Sequence, residues 1–171
     1  MNAAAFDAIT TLFDASGATY RVYEHAACRS SAESMATREA LGITDAIGAK
    51  ALLCKLYFKG GEETFATIVL PGTHVLDKTK FKSQLGLKMF RFATAEELMD
   101  IAGVEYGCMP PFGSQVFPKV SKLYVSEALK DFPNVAFNAA YLEKSIVLPA
   151  EEYFRTIKPD LVFDCSQPKA Q

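Results

Sequence analysis

Two features of this chain carry residue types that chemistry could use. One is the segment Gly107-Cys108-Met109-Pro110-Pro111-Phe112-Gly113, and the other is Lys50, in the run Gly48-Ala49-Lys50-Ala51-Leu52-Leu53. In the first, two prolines hold φ at about −65° and supply no N–H, while glycines at both ends reach backbone angles closed to other residues. Pro110 drives Met109 toward an extended conformation, and Pro111 does the same to Pro110. A stiff loop is expected, with the N–H groups of Gly107, Cys108 and Met109 lacking a ladder partner. Such donors face water or an acceptor on a ligand. The same segment also reads as a rigid connector between two elements. Lys50 has two readings as well: an ammonium at a strand end that reaches into water, or a point charge on a rigid element aimed at a carboxyl or phosphate.

Other reactive side chains are sparse. Cys28, Cys54, Cys108 and Cys165 are scattered without Cys-x-x-Cys spacing and read as reduced thiols. His25 and His74 lie far apart, so neither a metal site nor any cofactor is expected. Motifs of the usual nucleotide-binding loops are absent.

Composition narrows the class. The chain has 171 residues, half of them apolar, enough to bury a sizeable core. No apolar run approaches the roughly 20 residues of a membrane helix, and the N-terminus lacks a basic leader, so a cytoplasmic protein without a membrane partner is expected. Net charge is −2, which gives no overall support for nucleic acid. Residues 50–91 nevertheless hold eight basic groups against Glu62, Glu63 and Asp77. That segment is either a face that meets phosphates or a solvated surface.

The elements that must position these residues follow from periodicity and punctuation. Phe6, Ile9, Leu12 and Phe13 mark a helix over Ala3–Ser16, stopped by Gly17. A short strand is expected at Tyr20–Tyr23. Ser30 with Glu33 is a capping box opening a helix through Leu41. Ala49–Phe58 and Thr64–Leu70 form a hairpin around Gly60-Gly61. Asp77 caps a short basic helix to Leu85, Lys88–Ala93 is a strand, and Thr94 with Glu97 caps a helix over Ala95–Ala102. Strands are expected at Leu123–Val125, Val135–Phe137 and Ser145–Leu148. Pro149 is placed in the first turn of a helix to Ile157, and one more short strand precedes a fraying polar tail. Hairpins with interspersed helices predict an α+β fold: one domain over 1–171, core about 20–158, with a mixed, largely antiparallel sheet.

Taken together, Gly48-Ala49-Lys50-Ala51-Leu52-Leu53, Val69-Leu70-Pro71-Gly72 with Asp77, the Gly107-x-x-x-Pro111 loop, Phe137-Asn138-Ala139 and Ser145-Ile146 resemble the YbaK and prolyl-tRNA-synthetase editing-domain family. The resemblance spans roughly residues 20–155, in the family's order. It implies a trans-acting aminoacyl-tRNA deacylase that cleaves the ester at the 3′-terminal adenosine of a mischarged tRNA. An aminoacyl-tRNA synthetase is a further implied partner, and DNA is not one. Lys50 matches the family's lysine, expected to hold the terminal phosphate or orient the ester. Gly107, Cys108, Met109 and Pro111 match the loop whose amides would stabilise developing charge. No Ser-His-Asp or Cys-His pair is visible, so the resemblance implies water as the attacking group. Cys108 as a covalent nucleophile would lack a basic neighbour.

Gly113, Asn138, Ala140 and Leu142 are the expected substrate-binding positions. Ala140 stands where many relatives have Gly, Leu142 where some have His, and Cys108 where Ser is frequent, which bears on pocket size and polarity. Asn138 could equally spend its amide on backbone at a strand end. The alternative to an enzyme is a non-catalytic tRNA- or synthetase-binding module of the same fold.

Overall fold

The computed structural model describes residues 1–170. In chain order the elements are α1 (Ala3–Ser16), β1 (Arg21–Glu24), α2 (Ser31–Ala40), β2 (Ala46–Phe58), β3 (Glu63–Pro71), β4 (His74–Leu76), α3 (Lys78–Gln84) and β5 (Leu87–Phe92). They continue with α4 (Ala95–Ala102), β6 (Lys122–Ser126), a short 3-10 helix (Glu127–Asp131), β7 (Asn134–Asn138), β8 (Lys144–Pro149), α5 (Ala150–Ile157), β9 (Leu161–Phe163) and β10 (Ser166–Pro168). Eight strands form one sheet in the order β1-β8-β7-β2-β3-β6-β9, with β5 also on β2, and β4 pairs with β10 apart from it. Pairings β2–β7, β3–β6 and β6–β9 are parallel and the others antiparallel, giving the mixed α+β sheet expected.

β2 is the organising strand. It pairs with β3 along Ala49–Tyr57, with β7 only over Ala46–Gly48, and with β5 only from Cys54 onward. Between β7 and β5 its edge has no neighbouring strand. The Gly48 carbonyl accepts from Gly72 on the β3 side, and the Leu53 carbonyl accepts from Ala93 on the β5 side. Strand alternation therefore turns the peptide groups of the odd-numbered residues toward that gap. Ala51 lies in its middle, and its N–H and C=O have no hydrogen-bond partner among the described residues.

The two faces of the sheet bury separate cores. On one, Ala49 and Leu53 meet Ile9 and Phe13 of α1, Tyr153 of α5, Phe137 and Phe112. On the other, Cys54 and Leu56 meet Phe81, Tyr124 and Phe163. Capping follows the sequence signals. Ser30/Glu33 and Thr94/Glu97 make complete capping boxes and Asp77 accepts from the Lys80 N–H, while Asn2, not marked in the sequence, accepts from the Ala5 N–H. Each such cap satisfies helix N–H groups that would otherwise lack a partner.

Two expectations change. Pro149 occupies the N-cap position just before α5, without a capping side-chain bond, rather than sitting in its first turn. The polar tail does not fray at once: residues 166–168 pair with β4, and the Lys169 N–H donates to the Thr73 carbonyl at 2.9 Å. Three-residue strands are too short to show alternation, which is why β4 and β10 leave no periodic trace.

Candidate functional site

The gap beside β2 opens into a cleft of about 710 Å³. Strand β2 lines it from Gly48 to Leu53, α2 through Ser31, Ala32, Ser34 and Arg38, and the loop side through Tyr106, Gly107 and Met109 together with Asn138. Lys50, Gly107, Met109 and Asn138 all line it. Residues separated by up to 88 positions thus converge on one space.

Gly107 can only be glycine. Its φ is +93°, and a Cβ there would stand 2.5 Å from the Arg29 carbonyl oxygen and 2.8 Å from the Arg29 Cα. Backbone passes directly over backbone. Asn138 locks that crossing, since its Nδ2 donates to the Gly107 carbonyl at 2.8 Å and to the Cys28 carbonyl at 3.0 Å. Ser145 Oγ lies 3.3 Å from Asn138 Oδ1 and 2.7 Å from His25 Nε2. The Asn138 amide is therefore committed to holding two loops together, the backbone role that the sequence left open.

The rest of the loop is anchored from beneath. Phe112 is fully buried, with ring centroids 5.8 Å from Phe13, 5.6 Å from Phe137 and 6.2 Å from Tyr153. The Tyr153 hydroxyl donates to the Pro111 carbonyl at 2.7 Å. Of the three amides expected to be unpaired, the Cys108 N–H donates to the Glu105 carbonyl at 3.3 Å. Those of Gly107 and Met109 have no acceptor among the described residues.

The structure does not bring every expected residue to the cleft. Cys108, Pro111, Gly113, Ala140 and Leu142 are buried behind its wall. Burial pushes the Cys108 thiol pKa up, which disfavours a thiolate. Gly113 packs against Leu123, where an added Cβ would stand 3.0 Å from the Leu123 Cβ. Ala140 takes a left-handed φ of +63°, and its carbonyl accepts from the Asn2 N–H at 3.0 Å. Leu142 is buried, and its carbonyl accepts from Cys28 at 3.0 Å. The turn after β7 directs both side chains into the α1 core, away from where a pocket was expected.

Lys50 stands half-buried, with neither a carboxylate nor any acceptor bonded to its Nζ among the described residues. Burial lowers its pKa, and nearby Lys169 lowers it further. Arg29, Arg38 and Lys169 line the same space, and no Asp or Glu does. None of these three was a sequence candidate. Arg38 carries no local signal that separates it from a solvated helix arginine, and Lys169 depends on β10. Of the eight basic groups in segment 50–91, only Lys50 lines the cleft. The segment's Lys55, Lys80 and Arg91 pair instead with Glu63, Asp164 and Glu97 at 3.2, 2.5 and 2.7 Å.

Among the described residues, no group of three or more His, Cys, Asp or Glu side chains could hold a metal, and no helix is long and apolar enough to cross a membrane. The cleft is thus a cationic, carboxylate-free space with a fixed loop on one side. It suits an anionic ligand with a carbonyl group near the loop.

Comparison with known proteins agrees. The aminoacyl-tRNA editing domain profile matches residues 25–156. The Escherichia coli (strain K12) multifunctional Ser/Thr-tRNA deacylase ProXp-y is 30% identical over 155 residues, 90% of this chain and 89% of that protein. A proline–tRNA ligase of Ralstonia pickettii (strain 12J) is 32% identical over 101 residues, 59% of this chain but 18% of the ligase. A crystal structure described as a candidate trans-editing enzyme for prolyl-tRNA synthetase superposes with a TM-score of 0.75 at 20% identity, covering 98% of this chain and 99% of that one. At that identity the likeness speaks for the fold.

Proposed function

The chain belongs to the aminoacyl-tRNA editing domain family and is an aminoacyl-tRNA deacylase, and from that premise we propose that it acts in trans on mischarged tRNA. It hydrolyses the ester that joins a wrong amino acid to the 3′-terminal adenosine. Lys50 holds the terminal phosphate, or the ester beside it, as a compact charge on a rigid strand. The Gly107 and Met109 amides receive the carbonyl oxygen. A water oxygen attacks the carbonyl carbon, and negative charge collects on the oxygen facing those amides. The ester C–O bond then breaks, one proton of the attacking water ends on the ribose oxygen and the other passes to solvent, and the amino acid leaves as a carboxylate. One well-placed oxyanion donor is worth about 3–4 kcal/mol in the transition state.

The observation that carries this reading is the meeting, in one carboxylate-free cleft, of an unpaired ammonium and two unpaired amides. Water is the preferred nucleophile because Cys108 is buried without a basic partner and neither histidine lines the cleft. The named activity of the Escherichia coli relative makes Ser-tRNA and Thr-tRNA the first substrates to try. A cytoplasmic setting and a synthetase partner follow from such a substrate.

The test is a panel of mis-aminoacylated tRNAs incubated with wild type and Lys50→Ala. Wild type should release amino acid from at least one member, and Lys50→Ala should lose at least a hundredfold in kcat/KM with its melting point preserved. Release no faster than buffer across the panel overturns the enzyme reading. Saturable tRNA binding without turnover would select the binding module instead.

A further inference from the structure

Arg38 is more than nine-tenths buried, yet its guanidinium makes no hydrogen bond and no ion pair among the described residues. It lies in the last turn of α2, against the first residues of β2. A Cβ on Gly48 would stand 3.1 Å from Arg38 Nη2, so Gly48 leaves the space that the guanidinium occupies beside Lys50. Thr67 Oγ1 is the one fully enclosed polar side-chain atom without a partner among the described residues, so the Arg38 nitrogens keep contact with solvent in the cleft, where they are poorly hydrated, uncompensated and free to receive an anion. Its N–H donors line the cleft that holds Lys50, and no carboxylate there could satisfy them. Lys169 reaches the same cleft from the end of β10, its Nζ donating to the Gly72 carbonyl at 2.8 Å.

We propose that Arg38 is a second phosphate-binding residue, whose planar fork grips a phosphodiester of the tRNA 3′ strand next to the one held by Lys50, with Lys169 adding charge at that end of the cleft. This rests on the reading that the cleft takes a tRNA end. The chemistry matches: a guanidinium presents parallel N–H groups that fit two phosphate oxygens, whereas an ammonium offers a point charge. Burial also strengthens each such contact, because less water competes for it. Helix α2 thereby becomes a substrate-binding element rather than a cover.

The experiment is equilibrium binding of uncharged tRNA, measured from about 50 to about 200 mM salt. Wild type is compared with Arg38→Gln, Lys169→Ala and Ser34→Glu, with melting points recorded for each. Arg38→Gln should weaken binding roughly tenfold or more at low salt. It should also lower the salt slope by about 0.7, the value for one contact to a single strand. Ser34 lies one turn before Arg38 on the cleft side of α2, so a glutamate there pairs the guanidinium without removing it. Ser34→Glu should reproduce the loss even if Arg38→Gln fails to fold, and Lys169→Ala should give a smaller one.

Unchanged affinity and slope in Ser34→Glu and in any folded Arg38→Gln overturn the proposal, as does a wild type that binds no tRNA at low salt. The deacylation assay separates the two readings. Turnover that ignores Arg38 leaves the enzyme reading standing and removes this one. Arg38-dependent binding without turnover does the reverse.

Discussion

The loop 107–113, which presents Gly107 and Met109 to the cleft, is tied down at several points. Asn138 clamps Gly107, Tyr153 holds Pro111, and three aromatic rings enclose Phe112. Lys50 of β2 and Arg38 of α2, which line the same cleft, have no acceptor among the described residues. Outside the cleft lining, basic residues do have partners, as in Arg91 with Glu97, where both guanidinium nitrogens meet carboxylate oxygens at 2.7 Å. The contrast separates two requirements of a site for acyl transfer. Groups that must meet developing charge are fixed in advance by the fold, and groups that must meet a charged ligand are left without internal partners.

The contrast can be broken most severely at Gly107. In Gly107→Ala the new methyl would run into Arg29 backbone, which cannot swing aside, so loop and α2 entry must part. Deacylation should fall at least a hundredfold, and stability by ~2–3 kcal/mol, read by single-turnover hydrolysis and urea melts. Asn138→Ala comes next. It strands the Cys28 and Gly107 carbonyls, and should cost ~1–3 kcal/mol and lower kcat about tenfold while leaving tRNA affinity nearly intact. An affinity loss as large as the kcat loss would show that Asn138 touches substrate.

The cationic wall is sharpened by pH. Lys50 keeps its charge only below a pKa that burial and Lys169 have lowered, so raising the pH should neutralise it sooner than a surface lysine. tRNA affinity should therefore drop on the alkaline side before ordinary lysines titrate. Lys50→Arg, a cation that does not titrate there, should flatten the decline.

Ala140→Gly is the smallest effect. Glycine relieves the left-handed backbone but gains freedom in the unfolded chain, so stability should move by less than ~1 kcal/mol. KM should not change, since the Ala140 side chain lies in the core. A shifted KM would return that turn to the pocket.

What the residue pattern makes legible is what short-range chemistry decides. Proline and glycine spacing marks the 107–113 loop, capping boxes mark α2 and α4, and apolar periodicity marks α1, all within a residue or two of the observed bounds. Lys50 is conspicuous because it interrupts an apolar strand. Arg38 is not, because only the approach of Gly48 from another element distinguishes it from a solvated helix arginine. Ala140 and Leu142 mislead for a related reason: the direction of a tight turn depends on what packs above it, here α1. The basic segment 50–91 misleads because ion pairs form across the fold, with Asp164 reaching back to Lys80.

The unpaired edge of β2 gives the protein a built-in reporter. The Ala51 amide lies in the middle of a thirteen-residue strand, yet no neighbouring carbonyl protects it. In deuterated solvent its proton should be lost at a rate typical of exposed loops, while Leu52 and Cys54, bonded to β3, hold theirs until much rarer openings. A nucleotide or aminoacyl group settling over that edge would slow the one signal and leave its neighbours alone, so occupancy could be followed without labelling the RNA.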